Sequence, residues 1–198
     1  MYKTHNPMVN KFMQHSPDQM ADGIMMVVLS IQQKWSSVGV QLKDWRDNGV
    51  DSRFVWGNKR KTADWLIENK VDLYNKLLSA ENSEDPTFNM MVALLDVPGL
   101  GLPKAGFACQ LMFGTVGCID SHNLKRMSIP ESVIKYDKKV SIGIREKKVV
   151  AYIAALKKRR SEWCWNTWCN LIAKTYPNEF TDSNHVSEVH VSFLTEAY

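Results

Sequence analysis

The segment from Asp96 to Ala108, Asp-Val-Pro-Gly-Leu-Gly-Leu-Pro-Lys-Ala-Gly-Phe-Ala, gathers residue types that can hold an anion. Gly99 and Gly101 are free to take left-handed φ and to bring bare backbone close to a ligand, so a side chain at either is expected to clash or to distort the turn. A helix beginning just after them turns its free N–H groups and the positive end of its dipole toward whatever lies beside the loop. A phosphate suits such a place, and Lys104 adds a positive charge to it. Cys118-Ile119-Asp120-Ser121-His122 follows shortly. Asp120 offers a carboxylate able to stabilise a developing positive charge or to take a proton from water. The same residues also allow a plainer reading, a helical turn followed by an aspartate that only caps a helix.

Two short helices must position these residues. Met90, Met91, Leu94 and Leu95 form an apolar run into the glycines, and Phe107, Leu111, Met112 and Phe113 form one out of them. Upstream, Ser16-Pro17-Asp18 is a helix start: Ser as N-cap, Pro at the first helical position, an acid in the first turn. The helix it opens runs through Met20, Ile24, Met25, Val28, Leu29 and Ile31, apolar nearly all round, which predicts a buried central helix. Trp35 to Trp56 reads as loops and a short helix. Arg53, Lys59, Arg60 and Lys61 are able to touch a phosphate backbone, although such charge runs are more often solvated faces. Ala63, Leu66, Ile67, Leu73, Leu77 and Leu78 suggest two helices. Glu81 to Pro86 is a polar connector, and Pro86-Thr87 opens the first hairpin helix.

Beyond Asp120, Asn123-Leu124-Lys125-Arg126 continues a helix whose first turn holds the aspartate. Met127 to Tyr136 is short and contains proline. The most basic region comes next, with Lys138, Lys139, Arg145, Lys147, Lys148, Lys157, Lys158, Arg159 and Arg160. Within it Val149, Val150, Ile153, Ala154 and Leu156 read as a buried helical stripe. Trp163, Trp165, Trp168, Leu171 and Ile172 read as core. Asn184 to Tyr198 fits either a strand or a helix; helix is preferred, because no other segment offers a strand partner. The fold class is therefore all-α.

Val97-Pro98-Gly99-Leu100-Gly101 with Lys104-Ala105, followed by Ile119-Asp120-Ser121-His122, resembles the helix-hairpin-helix (HhH-GPD) DNA glycosylase superfamily, which includes endonuclease III. The resemblance covers residues 20–126. It implies two helical lobes flanking a cleft: 20–126 with the hairpin and the aspartate motif, and 1–19 plus 127–198 as the second. It implies that Asp120 is catalytic and that double-stranded DNA is the partner, held by the Gly99 and Gly101 amides and by Lys104. A Na+ or K+ is implied at the hairpin, at Val97 and Gly99. Leu29-Ser30-Ile31-Gln32 matches a segment whose Gln enters the DNA beside a flipped base; the plainer reading of Gln32 is a polar helix end that meets water. His122 reads as a structural hydrogen-bonder.

The chain departs from the family at Pro103, where members that also cut the strand carry a catalytic lysine. Lys104 is one residue later, turned by about 100° on a helix, and a Schiff base needs an amine. The implied activity is thus a monofunctional N-glycosylase acting in base excision. Two alternatives stand beside it: a base-modifying enzyme on the same scaffold, as in viral proteins of this kind, and a DNA-binding hairpin without catalysis.

Composition narrows the setting. The net charge is +4, modest for a DNA-binding chain, so its clustering is more informative than its size. No apolar run approaches the ~20 residues that span a bilayer, and the N-terminus lacks a signal-peptide pattern. The expectation is an intracellular, cytoplasmic monomer without membrane contact, with a viral source admitted by the resemblance. Of the four cysteines only Cys164 and Cys169 lie near the C-terminus, so no iron–sulfur cluster is expected, and the cysteines read as buried free thiols. His5, His15, His185 and His190 show no metal-ligand grouping.

Overall fold

The computed structural model describes residues 16–31, 33–157, 169–182, 185, 186 and 188, with Trp35 and His122 described by their backbone alone. The expectations for residues 1–15, for Gln32, for Trp163, Trp165 and Trp168, for Cys164 and for residues 189–198 lie outside these. The described residues are all-helical. They form α1 (Pro17–Leu29), α2 (Val38–Asn48), α3 (Asn58–Glu81), α4 (Pro86–Leu94), α5 (Leu102–Phe113), α6 (Ser121–Met127) and α7 (Ile142–Lys157), joined by short 3-10 turns. A further helical stretch covers residues 169–175.

α1 starts where its sequence says it should. Ser16 is the N-cap, its hydroxyl accepting the Gln19 N–H at 3.2 Å, and Pro17 takes the first turn. Every residue from Gln19 to Leu29 is buried, because α2, α3 and α5 all pack on α1. That burial includes Asp22, whose charge needs partners in a low-dielectric setting. Trp45 Nε1 donates to one carboxylate oxygen at 3.0 Å and Arg46 Nε to the other at 2.7 Å, which pins α2 to α1.

α3 is one helix of 24 residues, not the two suggested by its spacing. It contains neither Gly nor Pro, and at about 1.5 Å per residue it runs some 36 Å. Thr62, Ala63, Leu66, Leu73, Leu77 and Ala80 make one buried stripe, while Ile67 is half exposed. Near its middle Asn69 Nδ2 donates back to Trp65 O at 2.9 Å, within an unbroken helix.

α4 opens at Pro86, with Asp85 capping it through the Phe88 N–H at 3.2 Å. It packs on α3, α5 and α7. In α7 the buried residues are Val149, Tyr152, Ile153 and Leu156. Val150 and Ala154 face solvent, contrary to the stripe read from the sequence. The three-and-four spacing of 149, 152, 153 and 156 puts Tyr152 on the inner face, and one residue's rotation of about 100° carries Val150 away from it.

Candidate phosphate hairpin and the Asp120 loop

Asp96 to Gly101 joins α4 to α5 as a tight hairpin. Leu100 N–H donates to Val97 O at 3.2 Å, closing a turn with Pro98 second and Gly99, at φ +84°, third. Proline followed by a glycine with positive φ is the residue pattern of a type II turn. A Cβ on Gly99 would stand 2.6 Å from Thr62 Oγ1. That hydroxyl donates to Pro98 O at 2.7 Å and fastens the turn to the second turn of α3.

Gly101 differs from what was expected of it. Its φ of −99° and ψ of −179° are extended backbone that any residue adopts, and the nearest atom a Cβ would meet is Pro103 Cδ at 4.0 Å. Gly101 is the N-cap of α5 and provides no side chain to satisfy the helix's first amides. Among the described residues no acceptor takes the N–H groups of Gly99, Gly101, Leu102 or Lys104, and Pro103 has none to offer. Gly99 is exposed and Gly101 half-buried. Leu102 is fully buried, so the amides of Gly99, Gly101 and Lys104 are the open donors at this helix N-terminus, the arrangement that takes an anion.

The carbonyls of the hairpin are spoken for. Lys138 Nζ donates to Val97 O and, at 3.3 Å, to Leu95 O. Lys104 Nζ reaches back over the turn to Gly99 O at 3.0 Å. The Na+ or K+ implied at Val97 and Gly99 does not fit these residues as they stand, because each carbonyl already receives an ammonium group from the chain itself.

Positive charge outweighs negative around the turn. Asp96 is the acid there, ion-paired with Arg145 of α7 and, at 3.6 Å, with Lys76. Burial lowers the Lys104 ammonium pKa and repulsion from Lys59 lowers it further; burial likewise lowers Lys59. Lys138 falls from 10.5 to about 8, through burial first and then repulsion from Arg145 and Lys104, opposed by Asp96. Of the other basic residues singled out in the sequence, Arg60 is held by Asp64 at 3.0 Å and Val50 O at 2.6 Å. Arg53 lies 4.7 Å over the Phe54 ring and 3.9 Å from Asp44. Those two guanidinium groups serve their own neighbourhood, whereas Lys59 is near enough to the hairpin to repel Lys104.

The chain leaving α5 doubles back along it. A Cβ on Gly106 would meet Gly117 O at 2.6 Å, so this stretch returns to a point five residues, or about 7.5 Å of helix, from Gly101. Two side chains fix the return. Tyr152 OH donates to Gly117 O and accepts the Ile119 N–H, both at 2.8 Å. Gln110 Oε1 accepts the Cys118 N–H at 3.2 Å. Val116 in the same loop holds φ +64°, a costly conformation for a β-branched residue.

This loop delivers Asp120 to the N-cap of α6. Its Oδ1 accepts the Asn123 N–H at 2.8 Å, and Asn123 Nδ2 donates back to Cys118 O at 2.7 Å. The capping aspartate of the plainer reading is therefore present. The carboxylate is half-buried, and no second hydrogen bond occupies it among the described residues.

Sequence reasoning missed Thr62, Gly106, Asn123, Tyr152 and the part played by Lys138. One signal was available: a glycine inside an apolar helical run usually marks close packing, and Gly106 is such a glycine. Cys109 and Cys169 are buried free thiols, each pushed up by burial, Cys169 to about 12. A cavity of about 910 Å³ lies between α1, α2 and α3, and none of its lining residues belongs to the hairpin or to the Asp120 loop. No helix among the described residues is long and apolar enough to cross a membrane. Comparison of the chain with protein-family models, with curated proteins and with solved structures finds no match.

Proposed function

We propose that the protein binds double-stranded DNA through the hairpin and hydrolyses the N-glycosidic bond of a flipped-out base, with Asp120 as the catalytic carboxylate. The observation that carries this reading is the connection between the two halves of the site. Open amides at Gly99, Gly101 and Lys104 sit among cations that outnumber the local acids, and the next loop folds back along α5 to present Asp120. On this reading residues 20–126 form the lobe that holds the hairpin and the aspartate, and the chain ends form the other.

The amides and lysines anchor the phosphate without reading sequence. The nucleotide is rotated out of the stack at a cost of a few kcal/mol. As the C1′–N bond breaks, the base keeps the bonding pair and is protonated, and the sugar gains positive charge that Asp120 stabilises. Water adds its hydroxyl to C1′, and its proton passes by way of the carboxylate to the departing base, which leaves Asp120 ionised again. Asn123 spends one oxygen of Asp120 on the cap and leaves the other for this work.

The cap itself favours a second reading, a DNA-binding hairpin without catalysis in which Asp120 only starts α6. Oligonucleotides carrying a panel of altered bases separate the cases. Free base with abasic sites is the expected product. Intact DNA of changed mass identifies a base-modifying enzyme on the same scaffold, and unchanged DNA with tight binding identifies the non-catalytic hairpin.

A further inference from the structure

The hairpin raises a question that phosphate binding leaves open. Leu95 O, at the C-cap of α4, carries the negative end of the helix dipole, and Val97 O lies two residues on, in the turn whose amides are proposed to take a phosphate. Two acceptors so close to a second negative group call for a positive one beside them. The side chain that supplies it is Lys138, whose ammonium touches Leu95 O and Val97 O from a segment 41 residues further along than Val97. Its backbone is set for this: Val140 N–H donates to Asp137 O at 3.2 Å, and Lys139 N–H donates to Asp137 Oδ1 at 2.9 Å, which fixes the turn carrying Lys138. Alongside it, Arg145 of α7 engages Asp96 at the start of the hairpin. Two basic side chains from beyond α6 thus bind the α4–α5 turn at adjacent points.

We propose that the Lys138 ammonium is the hairpin's built-in cation, taking the carbonyls that an alkali-metal ion would otherwise take and making the hairpin independent of any bound metal ion. The inference rests on the hairpin being a phosphate site, but its central claim concerns the hairpin itself and is measurable without DNA.

The test compares the parent protein with Lys138→Met and Lys138→Gln at constant ionic strength in sodium, potassium and N-methylglucamine chlorides, the last cation being too bulky for the carbonyls. Amide hydrogen exchange of Val97 to Gly101 is read in each salt, and thallium(I) NMR reports whether a monovalent ion binds. Affinity for a DNA duplex is read in parallel. The parent should show the same exchange in all three salts and no bound thallium. The variants should bind thallium and exchange faster in N-methylglucamine than in potassium. If DNA binds, both should also lose about tenfold affinity in N-methylglucamine, the weight of one charge-assisted hydrogen bond, and recover part of it in potassium. Two variants of different polarity guard against one that fails to fold, which circular dichroism reveals.

A parent hairpin that loosens in N-methylglucamine, or that binds thallium, overturns the inference. So do variants whose exchange and affinity match the parent in every salt. A parent that binds no DNA in any salt defeats the proposed function, and exchange and thallium binding still decide the role of Lys138.

Discussion

The Tyr152 hydroxyl lies 2.6 Å from where a Cβ on Gly106 would stand. That relationship ties α5, α7 and the Asp120 loop into one unit, since the same hydroxyl holds Gly117 O and Ile119 N–H. Gly106→Ala would normally favour a helix, by about 1 kcal/mol. Here the methyl group meets a backbone carbonyl and a fully buried ring, and overpacking of this kind costs about 1–3 kcal/mol. Thermal unfolding should therefore fall by several degrees, at roughly 2–4 °C per kcal/mol for a chain of this size. Tyr152→Phe keeps the ring but leaves two buried backbone groups unpaired, again a cost of about 1–3 kcal/mol. If Gly106→Ala raises the melting temperature, α5 does not pack this closely on Gly117 and Tyr152.

Asp120 has a structural task and a proposed catalytic one, and two substitutions separate them. Asparagine caps helices about as well as aspartate, so Asp120→Asn should leave stability nearly unchanged. Base release should be abolished, with DNA affinity similar or higher, since a negative charge near phosphate is gone. Asp120→Ala should add a loss of about 1 kcal/mol in stability. Full single-turnover activity in Asp120→Asn would remove Asp120 from the chemistry.

What the sequence disclosed and what it hid follow one division. The start of α1 at Ser16, the start of α4 at Pro86 and the hairpin at Pro98–Gly101 depend on residues a few positions apart, whose chemistry dictates the local backbone. The continuity of α3 was missed because a gap in an apolar stripe reads as a break, although nothing in residues 58–81 stops the helix. The side chains that fix the site act across long stretches of chain. Thr62 reaches Pro98 over 36 residues, Tyr152 reaches Gly117 over 35 and Lys138 reaches Val97 over 41. No spacing rule connects such pairs. The contrast between Gly99 and Gly101 was equally hidden, because only the folded turn shows which glycine has positive φ.

That contrast makes a pair of substitutions informative. Gly99→Ala places a methyl group on Thr62 Oγ1 in a left-handed conformation and should destabilise the fold by about 1–3 kcal/mol. Gly101→Ala meets no obstruction and should leave the melting temperature within about 1 kcal/mol equivalent of the parent. Any loss of DNA affinity in Gly101→Ala then reports closer phosphate approach rather than unfolding. It should be the same for all sequences, and binding of the parent should weaken steeply with added salt. Affinity that ignores both the substitution and the salt would make the loop a plain helix connector.

Proton binding at Lys138 gives opposite signs for stability and for DNA affinity. Its pKa of about 8 in the fold lies below the 10.5 of an unfolded chain, so between these values the unfolded state holds more protons. Stability contributed by this group therefore rises with pH across that window; it is fully present above 10.5 and lost as pH falls through about 8. Phosphate favours the ammonium form, so affinity for DNA should fall as pH rises through about 8. Both trends should weaken in Lys138→Met, leaving the part that Lys104 and Lys59 contribute, as chemical denaturation and DNA titration at several pH values will show. Equal pH profiles for parent and variant would exclude Lys138 as their source.

Strand cleavage turns on Pro103 and Lys104. Pro103 is in the first turn of α5 and has no amine to attack a sugar carbon. Lys104 has the amine, and burial with repulsion from Lys59 lowers its pKa, which is the direction that activates a nucleophile. Its Nζ is nevertheless turned back onto Gly99 O at 3.0 Å, which commits the amine to the hairpin itself. Abasic DNA should remain unbroken, and borohydride should trap no adduct with the parent protein. Lys104→Ala should behave identically in trapping while binding DNA more weakly, because one cation at the hairpin is lost. A trapped adduct present in the parent and absent from Lys104→Ala would mean that DNA binding swings this side chain off Gly99 into the reaction, and the enzyme would then be bifunctional. Free base in solution with no adduct from either protein leaves hydrolysis assisted by Asp120 as the route.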